Sequence, residues 1–164
     1  MNDIIKQRTA LQQAMTFAPA LSCGIEELLG RSANSMTYVA GRKLGRQLTE
    51  GARRTDDILE ALDEVRRVLE ANQCFWRFEP FKPSAAPEMV VTKADGSREM
   101  MLVFRDCMIR QCLFRFGHEQ KGSLCFMMYG FFSGALEAIM GRKSVLDIVH
   151  TGENACLKRL TVSD

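Results

Sequence analysis

Much of what would announce a chemistry is absent from this sequence. No apolar run reaches the about 20 residues that a membrane span needs. The longest, Leu124 to Met140, carries Ser133 and Glu137 and stops at Gly141-Arg142-Lys143, which predicts a helix buried in a protein core. Charge of one sign is lacking too: 22 Lys and Arg against 20 Asp and Glu leave a formal charge of +2, too little for a generic polyanion binder, so nucleic acid is not expected as a partner. The first residues, Met1-Asn2-Asp3-Ile4-Ile5-Lys6-Gln7-Arg8, place charges where an export signal needs its apolar stretch, so the expected localisation is cytoplasmic. The six cysteines are widely spaced and never form Cys-x-x-Cys, which favours reduced thiols over a disulfide framework. A glycine-rich phosphate loop, a Gly-x-Ser-x-Gly elbow and a His-Glu-x-x-His motif are all missing, so no catalytic residue is assigned and an enzyme is the minority reading. Gly41-Arg42-Lys43-Leu44-Gly45 lies in a helical pattern without the preceding strand that a dinucleotide loop requires, and His118-Glu119 reads as loop rather than as an acid–base pair.

What is present is a chain of 164 residues, 46% hydrophobic, the scale of one domain with one core, here 1–164. Residues 1–72 read as helical: an amphipathic piece from Ile4 to Met15 that Pro19 keeps short, a turn capped by Ser22, and a helix opened by Asn34 or Ser35. A third helix, opened by Thr55-Asp56-Asp57, carries the stripe Ile58, Leu62, Val65 and Leu69. The basic residues Arg42, Lys43, Arg46, Arg53 and Arg54 precede the acidic Asp56, Asp57, Glu60, Asp63 and Glu64, which reads as two compatible solvated faces.

From 73 to 164 the period changes. Cys74 to Glu79 alternates as a strand, and Glu88–Lys93 with Arg98–Phe104 flank Ala94-Asp95-Gly96 as a β-hairpin. The prolines of 80–87 predict an extended loop between them. A short helix over Asp106–Phe116, the apolar helix Ser123–Met140 and two strands near Val145–Val149 and Leu157–Val162 complete the chain. The fold class is therefore α+β: N-terminal helices, an antiparallel sheet with a β-hairpin, a buried glycine-containing helix packed on the sheet, and two C-terminal strands.

Within Gly122–Val162, Cys125, Gly130, Gly134, Gly141-Arg142, Gly152 and Cys156 form a pattern that resembles the 4-vinyl-reductase-like domain family. That family shares its fold with the TRAPP vesicle-tethering subunits and with ligand-binding modules linked to nitric-oxide signalling, and it includes the phenol-sensing input domains of some bacterial activators. The resemblance implies a hydrophobic or aromatic ligand enclosed between the buried helix and the sheet, and self-association as a homodimer. It also implies zinc, bound in the phenol-sensing relatives by a Cys at the start of this helix and by a Glu and two Cys that follow. Cys125 matches the first ligand and Cys156 the last, whereas the intervening positions fall on or near Ile148 and Thr151, which ligate zinc poorly. His150 or His118 offers an imidazole in their place, against the reading of the cysteines as small buried apolar residues.

Gly130 and Gly134 stand one turn apart, so that a flat ligand or another backbone can approach them. Ten Met and ten Phe form a large, soft apolar inventory for one core. The expected ligand-binding residues are Trp76, Phe104, Phe126, Tyr129, Gly130, Phe131 and Gly134, with Tyr129 as polar handle; the metal candidates are Cys125, His150 and Cys156. Three functions compete: a small-molecule binding or sensory module, an adaptor or assembly protein whose apolar surface a protein partner closes, and an accessory factor of tetrapyrrole metabolism.

Overall fold

The computed structural model describes residues 2–74, 76–115, 121–152 and 154–163. Sequence readings at Phe75, Phe116, His118 and Glu119 lie outside them. Helices α1 (Asn2–Leu29), α2 (Ser32–Leu48) and α3 (Ile58–Ala71) precede strands β1 (Arg77–Phe81), β2 (Val90–Thr92) and β3 (Arg98–Arg105). Helices α4 (Met108–Arg115) and α5 (Ser123–Met140) and strands β4 (Lys143–Thr151) and β5 (Ala155–Ser163) follow. The five strands form one antiparallel sheet in the order β1-β3-β5-β4, with β2 also on β3. The α+β arrangement and the apolar helix are as the sequence implies.

Strand alternation builds the inner face of the sheet. Phe78, then Met100, Leu102 and Phe104, then Cys156, Lys158, Leu160 and Val162, point inward and are buried. Against them lies α5, two thirds of which is buried. By length and composition alone it matches a membrane-spanning helix, but its apolarity on all sides serves a position between the sheet and α2.

The α2–α5 contact rests on four glycines. A Cβ on Gly41 or Gly45 would stand 1.9 or 2.1 Å from the carbonyl oxygens of Met127 and Phe131. One on Gly130 or Gly134 would stand 2.0 Å from those of Tyr38 and Arg42. Each helix thus presents a small-xxx-small pair to the other's backbone. Glu137 of α5 seals the contact by accepting hydrogen bonds from Arg42 Nε and Nη2 (3.0 and 2.7 Å) and Arg46 Nη2 (2.8 Å). Part of the basic face of α2 is therefore an inter-helix clamp rather than a purely solvated surface.

The bounds of α1 and β1 differ from the sequence reading. Helix α1 runs through Pro19 and continues to Leu29. A proline removes one helical hydrogen bond, and the continuation is held by tertiary contacts: Ser22 Oγ lies 2.5 Å from Ser123 Oγ, and Glu26 Oε1 accepts from the Ser123 N–H at 2.6 Å. Ser22 is thus inside a helix, and Glu26 caps the N-terminus of α5, where an acid is favoured. Strand β1 begins later than expected and includes Pro80, which an edge strand tolerates because it needs no donor on its open side. In the hairpin, Gly96 takes φ +82° and the Lys93 N–H bonds the Ser97 carbonyl at 2.8 Å.

Candidate functional site

The inner face of the sheet and the facing side of α5 make two aromatic groups joined at Phe104. The first is a packed cluster. Trp76, just before β1, sets its ring edge-on to Phe131 at 5.3 Å and tilted to Phe132 at 6.0 Å. Phe132 meets Phe78 and Phe104 edge-on at 5.1 and 5.2 Å, and Phe78 stacks on Phe104 at 5.6 Å. Such edge-to-face geometry is favourable beyond simple burial. Outside this cluster, between α3 and β1, lies a half-open groove of about 530 Å³ whose lining includes Leu69, Trp76, Phe78 and Val103 beside Arg66 and Arg105. Trp76 belongs to both, so its ring separates the groove from the core. Its buried Nε1 has no hydrogen-bond partner among the described residues.

The second group surrounds an ammonium. Lys158, 2% exposed, occupies a position in the inward row of β5 otherwise held by Cys156, Leu160 and Val162. Its Nζ lies 4.4 Å from the Phe104 ring centre and 4.5 Å from that of Tyr129, and it donates to the weak acceptor Met128 Sδ at 3.7 Å. Two rings offering their faces stabilise a cation, but burial drives the Lys158 ammonium below its ordinary pKa, opposed by the thiols of Cys107, Cys125 and Cys156. Tyr129 is also buried. Desolvation first, then those thiols, push its hydroxyl well above its ordinary pKa, and its Oη has no hydrogen-bond partner among the described residues. Phe126, half-buried, packs edge-on against Tyr129 at 5.4 Å, which leaves the Tyr129–Lys158 pair about one side chain below the surface.

The expected ligand-binding residues thus divide. Trp76, Phe104 and Phe131 come together in the first cluster, and Phe126 and Tyr129 share the second group with Phe104. Gly130 and Gly134 do not join them: they face the α2 backbone, with no space even for a methyl group. The sequence reading passed over Lys158, Phe78 and Phe132 as site residues. Lys158 had a signal, the alternation Cys156-x-Lys158-x-Leu160-x-Val162 that puts a charge in apolar register.

The metal candidates are not assembled. Cys125 at the first turn of α5 and Cys156 on β5 share one neighbourhood, but His150, opposite Leu157 in the strand register, is exposed to solvent. Among the described residues no three His, Cys, Asp or Glu side chains converge to hold an ion. Burial raises both thiols above their ordinary pKa, which opposes the thiolate form that zinc requires. The residues present do not fit the zinc site that the resemblance implies.

No protein-family model matches the chain, and no curated protein matches it. Among solved structures, its fold is similar to that of the phenol-responsive sensory domain of the transcription activator PoxR, determined with phenol. The TM-score is 0.51 at 19% identity, over 87% of this chain and 72% of that one.

Proposed function

We propose that this chain is a small-molecule binding or sensory module of the 4-vinyl-reductase-like family, and that its ligand is hydrophobic or aromatic. The observation that carries the reading is the pair of donors, Trp76 Nε1 and Tyr129 Oη, buried without partners among closely packed rings. Buried polar groups are normally satisfied, and a few unpaired ones in an apolar setting are what a specific pocket presents to its ligand. The similarity of fold to a phenol-responsive domain supports the same reading. The groove beside Trp76 gives the ligand its approach, and displacement of the Trp76 ring opens the space between α5 and the sheet.

Trp76 is the single tryptophan, so its fluorescence reports on the site directly. Titration with phenol and with 2-naphthol is expected to change that emission saturably and to raise the unfolding temperature. Neither ligand altering emission or unfolding would refute the reading.

A specific observation also favours a protein partner. Phe17, Leu21 and Leu28, on one stripe of α1, are 72%, 67% and 85% exposed, an apolar row that marks an association surface. The partner proposed is a second copy, giving a homodimer through the N-terminal helices.

A further inference from the structure

Resting on the small-molecule reading above, we infer that Lys158 is the anion-recognising group of the site, and that the ligand is an apolar acid, a carboxylate on an aromatic or hydrocarbon body. Every other feature of the Lys158 environment is that of a core: Phe104 and Tyr129 cover the ammonium on two sides and Met128 supplies a thioether. An ammonium carries three donors, and among the described residues they meet a single, weak acceptor. Buried charges in proteins are paired, and a cation held between two rings still lacks an anionic oxygen. The lysine and arginine ion pairs among the described residues lie elsewhere, as in Arg105 with Glu79, Lys93 with Glu99 and Arg42 with Glu137. No carboxylate among the described residues forms an ion pair with Lys158.

The unpaired hydroxyl of Tyr129 supplies the second observation. Its ring lies against the ammonium and its own donor is unpaired in the same buried layer. A carboxylate has two oxygens, one to face the ammonium and one to accept from a hydroxyl. A neutral phenol satisfies one donor and leaves the charge uncompensated. An acid compensates the charge and pairs both donors, which makes the charge of the ligand the property this site selects.

The test compares 2-naphthoate with its neutral analogue 2-naphthalenemethanol, on the wild type, Lys158→Met and Lys158→Arg, by calorimetry and Trp76 emission. The wild type is expected to bind naphthoate at least about tenfold more tightly than the alcohol, a preference of about 1.4 kcal/mol. Lys158→Met keeps the side-chain length, removes the charge, and should abolish that preference. Lys158→Arg should retain part of it. Equal affinity of the wild type for the two compounds, or preference for the alcohol, overturns the inference while leaving the small-molecule reading intact, and this comparison needs no variant to fold. Preference for naphthoate that survives in a folded Lys158→Met overturns it as well. Binding of neither compound by the wild type overturns the inference, and the small-molecule reading then stands or falls on the phenol and 2-naphthol titration.

Discussion

The Tyr129 side chain shows how one atom can be a cost to the fold and an asset to the site. Its ring fills space between Phe126 and Lys158, whereas its hydroxyl is buried without a partner among the described residues. An unsatisfied buried donor costs about 1–3 kcal/mol. Tyr129→Phe removes the atom and keeps the ring, so denaturant unfolding of the ligand-free protein at neutral pH should show unchanged stability or a gain of up to about 2 kcal/mol. The same variant should lose affinity for the ligand. A loss of stability above about 1 kcal/mol would mean that the hydroxyl has a partner in solution. Titration adds a second signature. Burial raises the Tyr129 pKa in the folded state, so above the unfolded value of about 10 the unfolded chain gives up a proton that the folded chain keeps. Wild-type stability therefore falls as pH rises through about 10, and Tyr129→Phe escapes that part of the loss. The difference between the two proteins should be flat from about pH 6 to 9 and widen in favour of the variant beyond about 10. A difference that stays flat to about pH 11 would place the hydroxyl in water.

Among the elements, the α2–α5 contact decides where the site is. On helix propensity alone, alanine is favoured over glycine by about 1 kcal/mol, so Gly134→Ala in an open helix would stabilise. Here the added Cβ meets the Arg42 carbonyl at 2.0 Å, and forcing the two backbones apart should cost about 1–3 kcal/mol or more. Thermal unfolding of Gly134→Ala and Gly45→Ala should show that loss in both, because the contact is reciprocal; stabilisation of either would mean that the helices are farther apart. The glycine pairs illustrate what the sequence could and could not disclose. Gly130-x-x-x-Gly134 signals a close approach, but the spacing alone leaves open whether a ligand or a backbone makes it. The answer stood about 90 residues upstream in Gly41-x-x-x-Gly45, whose match becomes apparent only when the two helices are seen together. Strong local signals were legible: the stripe of α3, the Asp95-Gly96 turn and the apolar α5. The passage of α1 through Pro19 was not, because it depends on Ser22 and Glu26 meeting the start of α5, a contact between segments distant in sequence. Lys158 was legible only in part, since its alternation with Cys156, Leu160 and Val162 puts it in apolar register, whereas its burial depends on α5 covering that face.

For the whole molecule, the question is which surface remains to be covered. The inner sheet face is closed by α5, and α5 is closed in turn by α2. The outer sheet face carries charged side chains, including Arg105, Asp147 and Arg159, all exposed, and suits water as it stands. The apolar side chains left outside are concentrated on the N-terminal helices, with Phe17, Leu21 and Leu28 on α1 and Met36 and Val39 on α2. Hydrophobic side chains of this size gain about 1.5–3 kcal/mol each on full burial, and a two-fold axis running beside α1 would bury each of them twice. The expected particle is therefore twice the 18.5 kDa chain mass. Phe17→Gln combined with Leu21→Gln removes the centre of that row, and because both side chains are mostly exposed the monomer should lose little stability. Sedimentation equilibrium should give a dimer for the wild type and a monomer for the double variant, with the unfolding temperature depending on concentration only in the wild type. A wild type that stays at one chain mass up to about 100 μM would exclude every dimer with a dissociation constant well below that concentration. The apolar row would then await a partner other than a second copy, which is the adaptor reading. A double variant that remains dimeric would move the interface off this stripe of α1.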